Sequence, residues 1–162
     1  MKEELKTIDT LSFALDKGHK EWLSIECNML IELFDEHGVK KGERRIHNTV
    51  TANGKAGLVN QVASAPSLAV IKAIAVGTGS PGSNALGAEI ARVAYTTATS
   101  SSNVLTVVAT FGAGVGTGAL TEAGTFDTAT PTSGNMWMSA SFSVVNKASA
   151  DSLQITWTLT VN

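Results

Sequence analysis

The stretch SLQITWTLTV, residues 152–161, puts Ile155, Trp157, Leu159 and Val161 on one parity and Gln154, Thr156, Thr158 and Thr160 on the other. Successive side chains of a strand point to opposite faces, so this period of two predicts an antiparallel strand with one face on a core and the other on a polar surface. Met136 to Val145 precedes it as a second strand. Ala119 to Asp127, with Leu120, Glu122, Gly124 and Phe126 on one parity, reads as a third, joined to the second by a loop over Thr128 to Asn135.

Further towards the amino terminus, Val93 to Thr99 and Asn103 to Phe111 are rich in Val and Thr and flank Ser100, Ser101 and Ser102, which predicts a hairpin. Ala85 to Arg92 reads as one or two helical turns, and GTGSPGSN, residues 77–84, as a loop. Leu68 to Val76 is an apolar run that fits a strand buried on both faces. Lys55 to Ser64 reads as a helix with Leu58, Val59 and Val62 inward, after a turn at Asn53-Gly54 and before Pro66.

DEHGVKKGERR, residues 35–45, is a charged turn leading into a strand over about Glu43 to Thr51. Before it, Trp22 to Phe34 has Leu23, Ile25, Cys27 and Met29 on one parity, so it reads as a strand, with helix an alternative over Cys27 to Asp35. Residues 2–17 space Leu5, Ile8, Leu11 and Leu15 by threes and fours, which fits a short amphipathic helix, with a flexible arm as the equal alternative. The fold class expected is mainly β: an antiparallel sandwich or jelly-roll-like domain over residues 21–162, with about seven or eight strands, one or two short helices and an arm over residues 1–20.

Charge is distributed unevenly. Residues 1–55 hold 19 of the 26 Asp, Glu, Lys and Arg residues, and residues 56–162 hold seven. The chain is 43% hydrophobic and only 16% charged, against roughly 25% in ordinary soluble domains. A net charge of -2 offers no basic stripe to neutralise phosphates, so nucleic acid is not an expected partner. No run reaches the roughly 20 apolar residues of a membrane helix, and the charged amino terminus does not resemble a secretory leader.

The chemistry-bearing residues are few. Cys27 is the lone cysteine and reads as a small buried hydrophobe; His19, His37 and His47 have no ligand spacing, so no metal or cofactor is expected. No serine lies in a GxSxG elbow, and neither GTGSPG nor GAGVGTG has the spacing of a phosphate-binding loop. An enzyme would need His47, Glu122 or Asp127 to converge in one cleft, and the expectation is no enzymatic activity. Glu122, in a strand otherwise free of charge, must face solvent or find hydrogen-bond donors. Trp137, Met138, Phe142 and Trp157 are expected as anchors of the core or of an interface, and Leu5, Ile8 and Leu11 as contacts of the arm.

RRIHNTVTANGKAGLV, IKAIAVGTGSPGSNALGAEIAR, VVATFGAG with GALTEAGTFD, and SFSVVNKASADSLQITWTLTV occur in that order over about residues 42–162. This ordered set resembles small virion proteins of tailed bacteriophages, described as head decoration or auxiliary capsid proteins and as minor tail or fibre components. The resemblance implies a trimer or other homo-oligomer, made in the host cytoplasm, that binds the major capsid protein on the capsid exterior through a β domain and an arm. A tail, neck or fibre component is the alternative, and a carbohydrate-binding surface module is an alternative of another class.

Overall fold

A computed structural model describes residues 24–62 and 69–162. The strands are β1 (Ile25–Phe34), β2 (Lys40–His47), β3 (Thr49–Val50), β4 (Ala73–Gly77), β5 (Glu89–Ala94), β6 (Thr97–Ser101), β7 (Val104–Phe111), β8 (Gly118–Phe126), β9 (Met136–Lys147) and β10 (Ser152–Val161). One helix, α1 (Ala52–Val62), lies between β3 and β4. The strands form two antiparallel five-stranded sheets, ordered β2-β1-β10-β7-β6 and β3-β9-β8-β4-β5. Together they make a β-sandwich; the arm over residues 1–20, with Leu5, Ile8 and Leu11, lies outside the described residues.

The alternation in residues 152–161 sets the first sheet. On β10, Leu153, Ile155, Trp157 and Leu159 are buried, while Gln154, Thr156, Thr158 and Thr160 are half-buried on the other face. Its neighbours repeat the pattern in register, so the inner face is built in rows: Met29, Trp157 and Val107; Ile31, Ile155 and Ala109; Leu33, Leu153 and Phe111. The second sheet closes this core with Ile74, Val76, Leu120, Ala123, Met138, Ala140 and Val145. Burying a side chain of this size contributes about 1.5–3 kcal/mol, so the rows are the main source of stability.

β4 is buried at every position, as the apolar run over Leu68 to Val76 predicts, but the strand begins only at Ala73, and Ala69, Val70 and Lys72 before it are exposed. It is an inner strand of its sheet. Ile74 and Val76 point into the main core, and on the opposite face Ala75 lies with Phe126 and Met136 under Leu86 of the β4–β5 connection.

Four sequence expectations give way to tertiary context. Residues 85–92 are not helical: Glu89 to Ala94 form β5, which pairs with β4 and completes the edge of the sheet. Residues 43–51 are not one strand, because the chain leaves the first sheet after His47 and enters the second as β3, with Asn48 between. The helix begins at Ala52 and includes Asn53 and Gly54, which the sequence suggested as a turn. Its inward residues are Gly54, Gly57 and half-buried Leu58, whereas Val59 and Val62 are 71% and 86% exposed.

Thr51 starts that helix. Its Oγ1 accepts the backbone N–H of Gly54 at 3.0 Å, as an N-cap does, and donates its one proton to the carbonyl of Met136 of β9, with the Trp137 carbonyl also within 3.0 Å. Helix and sheet are thereby fixed by one hydroxyl.

Candidate assembly surface

Outside the core, the first sheet presents a second set of rows. Pairing aligns His47, Asn28, Thr158, Thr106 and Thr99 across all five strands, and beside them Arg45, Leu30, Thr156, Val108 and Thr97. A third row runs Glu43, Glu32, Gln154 and Thr110. Charge is confined to the β2 and β1 end of this face. Towards β7 and β6 it becomes a surface of hydroxyls and methyl groups.

β2 is a guarded edge. Lys40 Nζ bonds Glu32 Oε1 at 3.0 Å and Glu43 Oε2 at 2.6 Å, and Arg45 lies 3.5 Å from Glu43. The Lys40 pKa is raised and that of Glu43 lowered, each chiefly by their shared hydrogen bond. Charged side chains on an edge discourage another chain from adding to the sheet. β6, TATSS, is fully exposed and has none.

The seven charged residues after position 55 are almost all turned inward. Glu122 is fully buried, and its carboxylate accepts the backbone N–H groups of Gly79 (3.0 Å), Gly87 (2.8 Å) and Ala88 (2.7 Å). It therefore holds both ends of the β4–β5 connection against β8.

Arg92 pairs with Glu89 through two bonds of 2.9 and 2.7 Å, donates to the carbonyl of Ser133 at 2.7 Å, and stacks 3.6 Å above the Phe126 ring. Asp127 accepts the N–H and the side-chain amide of Asn135, closing the β8–β9 loop. Lys147, 2% exposed, donates to the carbonyls of Gly112 and Asp151, and burial lowers its pKa against an opposing pull from the Asp151 carboxylate. Asp151 is itself buried and bonded by Lys41 from β2 at 2.8 Å. Lys72 alone among the seven is exposed.

The anchor residues named from sequence divide clearly. Trp157, Met138 and Trp137 are 0%, 1% and 4% exposed and belong to the chain's own core, so they are not surface contacts; Phe142 is half-buried at its margin. Sequence reasoning missed the outer threonine rows as a unit, because only the register between strands brings Thr99, Thr106 and Thr158 together. His47 lies in a shallow groove with Asn28, Arg45, Thr156 and Thr158, and His37 lies in the exposed β1–β2 turn. Among the described residues no group of three or more His, Cys, Asp or Glu could hold a metal ion, and no helix is long and apolar enough to cross a membrane.

The fold and surface define a mainly-β sandwich whose first sheet has an outer face that is charged at its β2 and β1 end and free of charged side chains over β10, β7 and β6. No family model, curated protein or solved structure matches the chain.

Proposed function

We propose that this protein is a structural component of a tailed-bacteriophage particle, a decoration protein that lies on the outer surface of the head against the major capsid protein and strengthens it by adding contact area. One observation carries the reading: residues 56–162 supply most of the sandwich yet expose a single formal charge, at Lys72. Burying an exposed ion at an interface requires its desolvation and re-pairing, whereas a methyl group needs only a matching shape and a hydroxyl a hydrogen-bond partner, at a smaller desolvation cost. Interface cores are correspondingly depleted in charge. On a shell the copies are held close together, so many weak contacts of this kind act jointly.

The ordered resemblance to small virion proteins supports the same reading. The carbohydrate-binding alternative needs exposed aromatic platforms; Trp137 and Trp157 are committed to the core, which leaves Tyr95, 36% exposed, as the exposed aromatic among the described residues. The test is immunogold labelling of intact particles, combined with co-sedimentation of purified protein with emptied heads. Regular labelling of heads and saturable co-sedimentation are expected. Labelling confined to tails would replace the decoration role with a tail or fibre role, and absence from particles would end the virion reading.

A further inference from the structure

From Val93 to Thr121 the chain contains no Asp, Glu, Lys or Arg, and this segment includes β6 and β7. β6 ends its sheet, with β7 on one side and no strand of the described residues on the other. Its register with β7 fixes which backbone groups are left over. Ser101 and Val104 flank the two-residue turn Ser102-Asn103, in which Ser102 has φ 51°. Such a turn is closed by a hydrogen-bonded pair, and antiparallel pairs alternate. Thr99 and Thr97 therefore bond to β7 as Ser101 does, and the N–H and C=O groups of Ala98 and Ser100 point away from the sheet.

We propose that β6 is the docking edge for a second copy of this chain, paired antiparallel about a two-fold axis at Thr99. In that register Ala98 exchanges both backbone bonds with Ser100 of the second copy, and Ser100 does so with Ala98 of the second copy, so every outward group of the central edge is satisfied. Thr99 faces Thr99 of the second copy in a non-hydrogen-bonded pair, an arrangement in which cross-strand threonines favour one another. The row His47, Asn28, Thr158, Thr106 and Thr99 then continues through the axis into its symmetry mate.

A two-fold contact places like against like, so it suits an edge without charge. The opposite edge would set Lys40, Lys41, Arg44 and Arg45 near their own copies. Tyr95, in the short link between β5 and β6, is 36% exposed. The proposal stands apart from the virion reading, since it concerns the free protein.

The experiment measures mass by light scattering across a concentration series for the full chain, Ser100→Pro and Thr99→Lys, with circular dichroism and thermal melts on each. Wild type is expected to form a dimer. Ser100→Pro removes an outward N–H, and Thr99→Lys sets two ammonium groups face to face; each should weaken dimerisation by on the order of 100-fold while preserving the strand spectrum. Should one variant fail to fold, the other carries the test.

Oxidative cross-linking supplies the register. Facing Cα atoms at such a pair are roughly 4.5 Å apart, within disulfide reach, so Thr99→Cys should link two chains. Ser101→Cys should not, because its symmetry mate lies more than about 13 Å away. A monomer at all concentrations, a trimer, a dimer indifferent to both variants, or equal cross-linking at the two positions would overturn the proposal.

Discussion

The indole of Trp137 packs against the backbone of helix α1 at Gly57, so closely that a Cβ there would meet the ring carbons Cη2 and Cζ2 at 2.5 Å. One turn earlier, Gly54 sits against the Trp137 carbonyl. Two glycines spaced by three thus make the face on which the helix docks, and the tryptophan of β9 fills the space they leave.

Gly57→Ala is therefore expected to destabilise the protein even though alanine is the better helix former by about 1 kcal/mol. Overpacking a buried ring costs about 1–3 kcal/mol, and a contact as close as 2.5 Å belongs in the upper half of that range, about 2–3 kcal/mol, so the net loss after the propensity gain should be about 1–2 kcal/mol by urea denaturation. The Trp137 fluorescence should change as well. A variant as stable as wild type would show that the helix can move away from β9 without penalty.

Glu122→Gln keeps the shape of the side chain but replaces one acceptor oxygen with a donor that faces backbone N–H groups. Losing charge-assisted bonds and leaving a buried donor unpaired should cost about 3 kcal/mol. Hydrogen exchange at Gly79, Gly87 and Ala88 should accelerate, while exchange in β1 and β10 follows only the global change in stability. Unchanged protection at these three amides would show that Glu122 does not hold the β4–β5 connection.

Burial pushes the Cys27 thiol up to about 11, against a smaller opposing effect of the Asn48 side chain. Thiolate is the reactive form, so the native protein at pH 8 should react with an aromatic disulfide reagent at least about 100-fold more slowly than the denatured chain. Full labelling of the folded protein within minutes would contradict this.

The Lys41 ammonium, followed by the Ala148 N–H, holds the Asp151 carboxyl below the usual aspartate range. A carboxylate whose folded value is depressed contributes stability above its unfolded value of about 3.9, and that contribution disappears as pH falls through the folded value. Melting temperature measured from pH 6 to pH 2 should therefore fall below about pH 4. Lys41→Met should lower the plateau and flatten part of that fall; identical profiles would remove Lys41 as the cause.

Much of the sandwich was legible locally. The period of two in residues 152–161 identified β10 and its inner face, and the parity of Cys27 and Met29 identified that of β1, because a half-buried strand needs no information beyond its own alternation. Residues 85–92 misled because their spacing suits a helical turn, whereas β4 offered open backbone groups that a strand could satisfy. Val59 and Val62 misled for a different reason: hydrophobicity marks the inward face of a helix only when side chains make the contact, and here the backbone of Gly54 and Gly57 makes it.

What the sequence determined alone was the β class, the polarity of its main strands, and the scarcity of charge after residue 55, all of which are properties of composition and near-neighbour order. Tertiary structure alone decided that six of the last seven charges are hidden and that threonines from β6, β7 and β10 form one row. It also decided that β6, which carries no charge, is the last strand of its sheet among the described residues. Each of these depends on which strands become neighbours, a choice made by burial of the whole core, and no local pattern records it.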